Sequence, residues 1–206
     1  MMKNITPVKG MKFSKIEIEH LFKSWLMISV AFAIFMTRDK LFSMEFIAAI
    51  IVAGLTVGIA FIFHELGHKF VAQKFHCKAE YRANFPMLYL MIILSFLGII
   101  FAAPGGVIIQ GLITRKQYGK IASAGPLMNI LLGVIFFSLI FVTGEGFLKQ
   151  IVHYGFYINS FLALFNLIPF PAFDGNKILH WNKTAYYSMI IASFILVAFA
   201  WNLFKL

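Results

Sequence analysis

Two histidines four residues apart, with a glutamate between them, are the side chains of this sequence best suited to chemistry. The segment reads His64-Glu65-Leu66-Gly67-His68. Side chains four residues apart on a helix lie one turn apart on the same face, so both imidazoles can occupy corners of a tetrahedral metal site. Glu65 is then placed to act as a general base toward zinc-activated water. The motif predicts the site of a zinc hydrolase.

A catalytic zinc usually has three protein ligands and one open position, so the motif requires a third ligand. The chain has eight acidic residues. Elimination favours Asp174, although Asp174-Gly175 is also ordinary turn chemistry. His76 and His180 remain competing ligands. The other acidic residues are predicted at the start of the first helix, on the outer side of the membrane or in a basic loop after the motif: Glu17, Glu19, Asp39, Glu45, Glu145 and Glu80.

The composition places these residues in a membrane protein. The chain is 61% hydrophobic and 13% charged, and its mean hydropathy is +0.86, which is more apolar surface than a soluble fold of this size buries. The net charge of +10 comes from short basic clusters between apolar runs, a pattern typical of loops that face anionic lipid. We therefore expect the lipid bilayer as a partner and do not expect nucleic acid.

Apolar runs of membrane-spanning length define the fold class. The sequence predicts an all-α polytopic membrane protein with about five to six transmembrane helices. The runs assigned to ordinary helices are 15–36, Met44 to Phe63, Ile121 to Val142, Val152 to Ile168 and Tyr186 to Phe204.

The run from Phe85 to Ile113 is different, because both of its flanks are basic and should face the same side of the membrane. About thirty residues are too few for two full spans with a turn, and Pro104-Gly105-Gly106 would break a helix. We predict a re-entrant, membrane-embedded hairpin or small sheet between the zinc-motif helix and the following core helix. One ordinary span with a positively charged outer loop is the alternative.

The basic clusters also predict sidedness. A cytoplasmic N-terminus brings the end of the second span, with His64 and His68, to the cytoplasmic side, and Asp174 reaches that side too. The last run then leaves Lys205 at the far face. Met1 to His20 is polar and basic, so no removed signal peptide is expected. The protein is predicted to be a multi-pass protein of the cell membrane.

Three motifs in order resemble the site-2 protease family of intramembrane zinc metalloproteases. They are the segment from His64 to His68, then Gly125-Pro126-Leu127-Met128-Asn129, and then Asn166-Leu167-Ile168-Pro169 followed by Asp174-Gly175. The resemblance implies a protease that cuts transmembrane or membrane-proximal segments of membrane-protein substrates. It implies one zinc ion per chain, with Asp174 as the third ligand and Glu65 as the general base.

The resemblance also implies how a substrate is held. Asn166 and Asn129 would bind the substrate backbone or the oxyanion. Gly105, Gly106 and Val107 would lie in a membrane-embedded sheet, where an extended substrate segment adds as a strand. Strand addition supplies backbone hydrogen bonds that a substrate helix loses when it unwinds.

The domain prediction is a single membrane-embedded unit over 1–206, with a catalytic core at about 44–176 and peripheral helices at 15–36 and 186–204. No recognition domain is evident. A non-proteolytic metal-binding transporter or scaffold is the main alternative function, and it has no use for Glu65. Another type of membrane zinc hydrolase would take its third ligand from a downstream glutamate.

Overall fold

A computed structural model describes residues 11–41, 43–100 and 104–204. The first ten residues and Lys205, on which the sidedness prediction partly depends, lie outside the described residues. The elements follow in chain order: α1 Lys15–Met36, α2 Met44–Ala53, α3 Ile59–Lys74, β1 Lys78–Ala83, α4 Phe85–Phe96, β2 Gly105–Gln110, α5 Arg115–Ile140, α6 Phe147–Asn166, α7 Asp174–Trp181 and α8 Lys183–Phe204.

Four segments among the described residues are long and apolar enough to cross a bilayer. They are α1, the continuous stretch Met44–Lys74 formed by α2 and α3, α5, and Lys183–Leu203 of α8. Helix α6 has 20 residues, which is long enough to cross, but Lys149, His153 and Asn159 make it more polar than these four. The predicted polytopic, mostly helical fold is confirmed.

A short π-helical segment, Gly54–Gly58, joins α2 to α3. Trp25 of α1 packs against it, and its indole N–H donates to the Gly54 carbonyl at 2.9 Å. A Cβ on Gly58 would lie 2.5 Å from the Trp25 ring, so only glycine permits this approach. This interhelical hydrogen bond fixes α1 against the helix of the histidines.

The predicted small sheet is present between α3 and α5. Strands β1 and β2 pair antiparallel, with Tyr81 opposite Val107 and Ala83 opposite Gly105. Helix α4 has 12 residues, and at about 1.5 Å per residue it is too short to cross the hydrocarbon core. The pairing brings both ends of the hairpin together, so the alternative of one ordinary span was wrong. The residues of β1, which the sequence analysis assigned to a basic loop, form half of the sheet.

Helix α5 lies at the centre of the fold and packs against α3, α6 and α7. A Cβ on Gly67 of α3 would lie only 2.8 Å from the Ala124 carbonyl oxygen of α5. Small residues let helix backbones approach in this way within a membrane. The close approach brings the α3 face that carries His64 and His68 directly against α5.

Candidate metal centre

Three buried side chains meet where α3 approaches the start of α7. They are His64, His68 and Asp174, and one ligand atom from each lies within 4.8 Å of the others. Asp174 Oδ2 lies 3.3 Å from His64 Nε2 and 3.0 Å from His68 Nε2. The two Nε2 atoms are 3.1 Å apart. The three residues that the sequence analysis proposed as ligands are therefore in contact.

The space in front of the histidines exists because residue 125 has no side chain. A Cβ added to Gly125 of α5 would lie 2.3 Å from His68 Nε2 and 2.6 Å from His64 Nε2. Both distances are far below van der Waals contact. The glycine of the Gly125-Pro126 segment therefore forms a wall of the site, and any side chain there would occupy the space that a metal needs.

Asp174 reaches the site from the first turn of α7. The chain can turn back there because Gly175 packs on the end of α6, where a Cβ would lie 2.1 Å from the Leu167 carbonyl oxygen. The other carboxylate oxygen of Asp174 accepts a hydrogen bond from Lys177 Nζ at 3.0 Å. Burial alone would raise the pKa of the Asp174 carboxyl, but His68 and His64 outweigh burial and hold that pKa well below its usual range. A lowered pKa favours the carboxylate form of Asp174, which is the form that binds metal.

The far side of each imidazole has an oxygen acceptor. His68 Nδ1 donates to the Ile121 carbonyl at 2.8 Å, and His64 Nδ1 lies 2.6 Å from Asn129 Oδ1. An N–H at Nδ1 leaves the Nε2 lone pair free to point into the site. Such outer contacts are how proteins orient histidine ligands.

Asn129 is itself oriented by Asn159 of α6. The Asn129 amide donates to the Ala60 carbonyl and to Asn159 Oδ1, both at 3.1 Å, so its Oδ1 must face His64. Asn159 in turn donates to Gly155 at 2.8 Å, which leaves its Oδ1 free to accept. Asn129 and Asn159 are fully buried. Asn129, which was predicted to contact substrate, contacts His64 in this structure.

Replacing Asn159 with leucine should weaken zinc binding by about 10- to 100-fold, the usual range for an outer contact of a ligand. Leucine fills similar space but cannot accept from Asn129, so Asn129 loses the contact that orients it toward His64. Asn159→Gln retains an amide that can both accept and donate, and it should recover part of the affinity. Competition with a chelator of known affinity measures both. Equal affinity of Asn159→Leu and wild type would show that Asn159 does not orient the site.

Glu65 lies between the two histidines and is buried. Its Oε2 atom has no hydrogen-bond partner within the described part of the chain. A buried carboxylate oxygen without a partner is costly, and such exceptions concentrate where a protein binds water or substrate. Glu65 therefore stays the predicted general base.

The competing ligands lie elsewhere. His76 is exposed in the turn after α3, with a positive φ of 60°, and His180 is exposed at the end of α7, where its Nδ1 donates to the Asn176 carbonyl. Among the residues that the structure describes, His64, His68 and Asp174 are the one group of potential metal ligands that lie together.

The other predicted substrate residues lie on two different elements. Asn166 is half-buried at the end of α6, and its amide donates to the Leu162 carbonyl at 2.9 Å. Gly105, Gly106 and Val107 are half-buried at the start of β2. The sequence analysis missed Gly125 as a wall of the site, Asn159, and the contact of Lys177 with Asp174. The position of Lys177, three residues after an aspartate that begins a helix, could have signalled its contact.

Comparison with known proteins gives consistent matches. The family model described as "Peptidase family M50" matches residues 51–153. The "Putative zinc metalloprotease MJ0611" of Methanocaldococcus jannaschii is 45% identical over 139 residues, which are 66% of this chain and 73% of that protein. The "Zinc metalloprotease MJ0392" of the same organism is 29% identical over 126 residues, 59% of this chain and 31% of that protein. No solved structure matches the chain significantly.

Proposed function

This chain belongs to peptidase family M50 and is a zinc metalloprotease with membrane helices, and from that premise we propose that it hydrolyses peptide bonds within transmembrane or membrane-proximal segments of other membrane proteins. One observation carries the proposal. A buried cluster of two imidazoles and two carboxylates lies on and beside an apolar helix of spanning length, Met44–Lys74. Ionisable groups at such a place are costly and are retained for function.

The residues fit zinc. His64 Nε2, His68 Nε2 and Asp174 Oδ2 would hold one ion per chain, and this donor set is typical of catalytic zinc. The three atoms are 3.0 to 3.3 Å apart, close to the separation of about 3.4 Å between corners of a zinc tetrahedron with bonds of about 2.1 Å. When bound, zinc would polarise the scissile carbonyl and acidify the attacking water.

Glu65 would carry the proton. Its unpartnered Oε2 accepts a proton from the attacking water and later delivers it to the nitrogen that leaves. Lys177 holds the second oxygen of Asp174, which keeps the first turned toward the histidines. Asn129, bonded to His64, orients that ligand in our proposal, while Asn166 is the remaining candidate for a contact with substrate backbone.

The outer edge of β2 is proposed to receive the substrate. The Tyr81 and Ala83 N–H groups of β1 point away from β2, toward side chains of α1. In an antiparallel pair of strands, the backbone N–H and C=O groups of the residues opposite them then also point away from the partner strand. These residues are Val107 and Gly105, and their N–H and C=O groups would pair with an extended substrate segment.

Replacing Val107 with proline tests this edge. Proline removes the outward N–H but leaves the bonds to β1, as tolerated on an edge strand. We expect cleavage to fall about five- to tenfold, the equivalent of one lost hydrogen bond of about 1 kcal/mol, with zinc content unchanged. Val107→Ala, which keeps the N–H, is the matched control. Equal loss in both variants would mean that the side chain, and not the backbone, matters.

Sidedness and partners are part of the proposal. The basic residues that follow the motif, including Lys74 and Lys78, support a cytoplasmic location for the metal centre and the N-terminus of a multi-pass cell-membrane protein. The expected partner is a membrane-protein substrate whose helix unwinds easily near the cleaved bond.

Removal and return of zinc test the proposed function. Purified protein in detergent should cleave a model transmembrane peptide, lose this activity after treatment with a chelator, and regain it when one equivalent of zinc is added. A substrate with helix-breaking residues near the cleaved bond should be cut faster than one without them. Cleavage that persists without metal would contradict the proposal. A transporter or scaffold would bind zinc but release no peptide fragment.

A further inference from the structure

A buried ion pair joins α1 to the helix of the metal ligands. Glu17 of α1 and Lys69 of α3 form a salt bridge, and both side chains are 0% exposed. Lys69 directly follows the ligand His68. Stability alone does not explain such a pair, because two buried charges lose their hydration. Hydrophobic residues of similar size often stabilise a protein's interior as well as the ion pair does.

The second oxygen of Glu17 contacts the sheet. Glu17 Oε1 accepts a hydrogen bond from the Tyr81 N–H of β1 at 2.9 Å. At the start of α1, Ser14 Oγ accepts a hydrogen bond from the Glu17 N–H, which is half of a capping box. The other half is absent because the carboxylate is taken by Lys69 and Tyr81.

One turn further along α1, His20 repeats the contact. Its Nδ1 accepts from the Ala83 N–H at 3.1 Å, so Glu17 and His20 satisfy alternate N–H groups on the same edge of β1. This edge is therefore closed to an added strand. A substrate strand can add to β2 alone.

We propose that Glu17 is a positioning residue that sets which peptide bond of a sheet-bound substrate reaches the metal centre. This inference rests on the proposed function. Glu17 contacts Lys69, the neighbour of the proposed ligand His68, and it also contacts Tyr81. Tyr81 lies opposite Val107 of β2, the strand to which the substrate is expected to add. Glu17 therefore fixes the position of the sheet relative to the metal centre, along the direction in which a bound substrate strand would run. Residues two apart on a strand face the same edge, so a slip of the sheet by one step presents a bond two residues away.

Two double variants separate this role from simple support of the fold. Glu17→Leu/Lys69→Met removes the ion pair and the bond to Tyr81 without leaving a buried charge. Glu17→Gln/Lys69→Met removes the charges but keeps an oxygen that accepts from Tyr81. Mass spectrometry of the fragments gives the cleavage positions, and zinc content and thermal unfolding are measured on the same samples.

We expect the variant with leucine to keep its zinc. It should either cut at several bonds, displaced from the wild-type bond by two residues, or lose the cleavage that the variant with glutamine keeps. The variant with glutamine should cut at the wild-type bond. The same single position in both variants, or the same change in both, would overturn the inference. Failure of the wild type to cleave would instead contradict the proposed function. Amide exchange of β1, measured without substrate, tests separately whether Glu17 holds the sheet, because only the variant with leucine should expose the Tyr81 amide.

Discussion

Glu65→Gln is expected to abolish detectable cleavage while leaving zinc bound. The glutamine amide has nearly the same shape as the carboxylate, but it cannot accept a proton from the attacking water. General-base catalysis contributes about 10²- to 10⁴-fold to rates, so the rate should fall by that factor. Glu65 is not one of the three clustered ligand residues, and zinc content should therefore match that of the wild type. Fragment release from a transmembrane peptide and metal analysis of the same sample measure both quantities.

The same variant separates protease from transporter or scaffold. A protein that only binds or moves metal has no step that needs a base at this position, so its function would survive Glu65→Gln. Undiminished cleavage by this variant would remove the proposed role of Glu65. Loss of zinc together with cleavage would instead mean that Glu65 helps to hold the metal.

Gly125→Ala is expected to eliminate zinc binding. The added Cβ would lie 2.3 Å from His68 Nε2 and 2.6 Å from His64 Nε2, where it would displace both imidazoles from the geometry that holds a metal. The loss of affinity should reach at least the upper end of outer-contact effects, about 100-fold. Chelator competition measures the affinity, and cleavage should fall in parallel.

Gly133→Ala on the same helix is the matched control. A Cβ there would meet Leu196 and Ser160 at ordinary contact distances of 3.4 and 3.5 Å. Both substitutions raise the helix propensity of α5 equally, so a difference between them reports on the site alone. Normal zinc binding by Gly125→Ala would show that α5 can move away from the histidines, and that the glycine is not required.

The sequence was sufficient to predict three candidate metal ligands that lie together in the structure. His64 and His68 must share a face on any helix, and the scarcity of acidic residues favoured Asp174. The hairpin was also predictable, since the basic flanks of the run from Phe85 to Ile113 require both ends on one side. Each of these predictions depends on local spacing or on the charge of whole segments.

Strand β1 was missed although its sequence has a signal. Lys78, Glu80 and Arg82 alternate with Ala79, Tyr81 and Ala83, which is the period of a strand with one buried face. The three charges led us to assign the segment to a loop. The period was more informative than the charge, because Ala79 and Tyr81 are buried on one face of the strand, where the Tyr81 ring packs against Phe61 of α3.

Long-range polar contacts could not be predicted. Glu17 and Lys69 are far apart in sequence, and a rule that counts lysines as solvated gives no reason to bury Lys69. Asn129 was assigned to substrate through the resemblance to the site-2 protease family. Its partner is His64, on another helix, and only the packing of α5 against α3 reveals that contact.

The order of the ligands along the chain affects when activity can first arise during synthesis. His64 and His68 belong to α3, whereas Asp174 begins α7, after the sheet, α5 and α6 have been made. A growing chain therefore carries only two of the three ligands until most of its helices have entered the membrane. With the proposed ligand set, the protein should therefore remain inactive until α7 has been made.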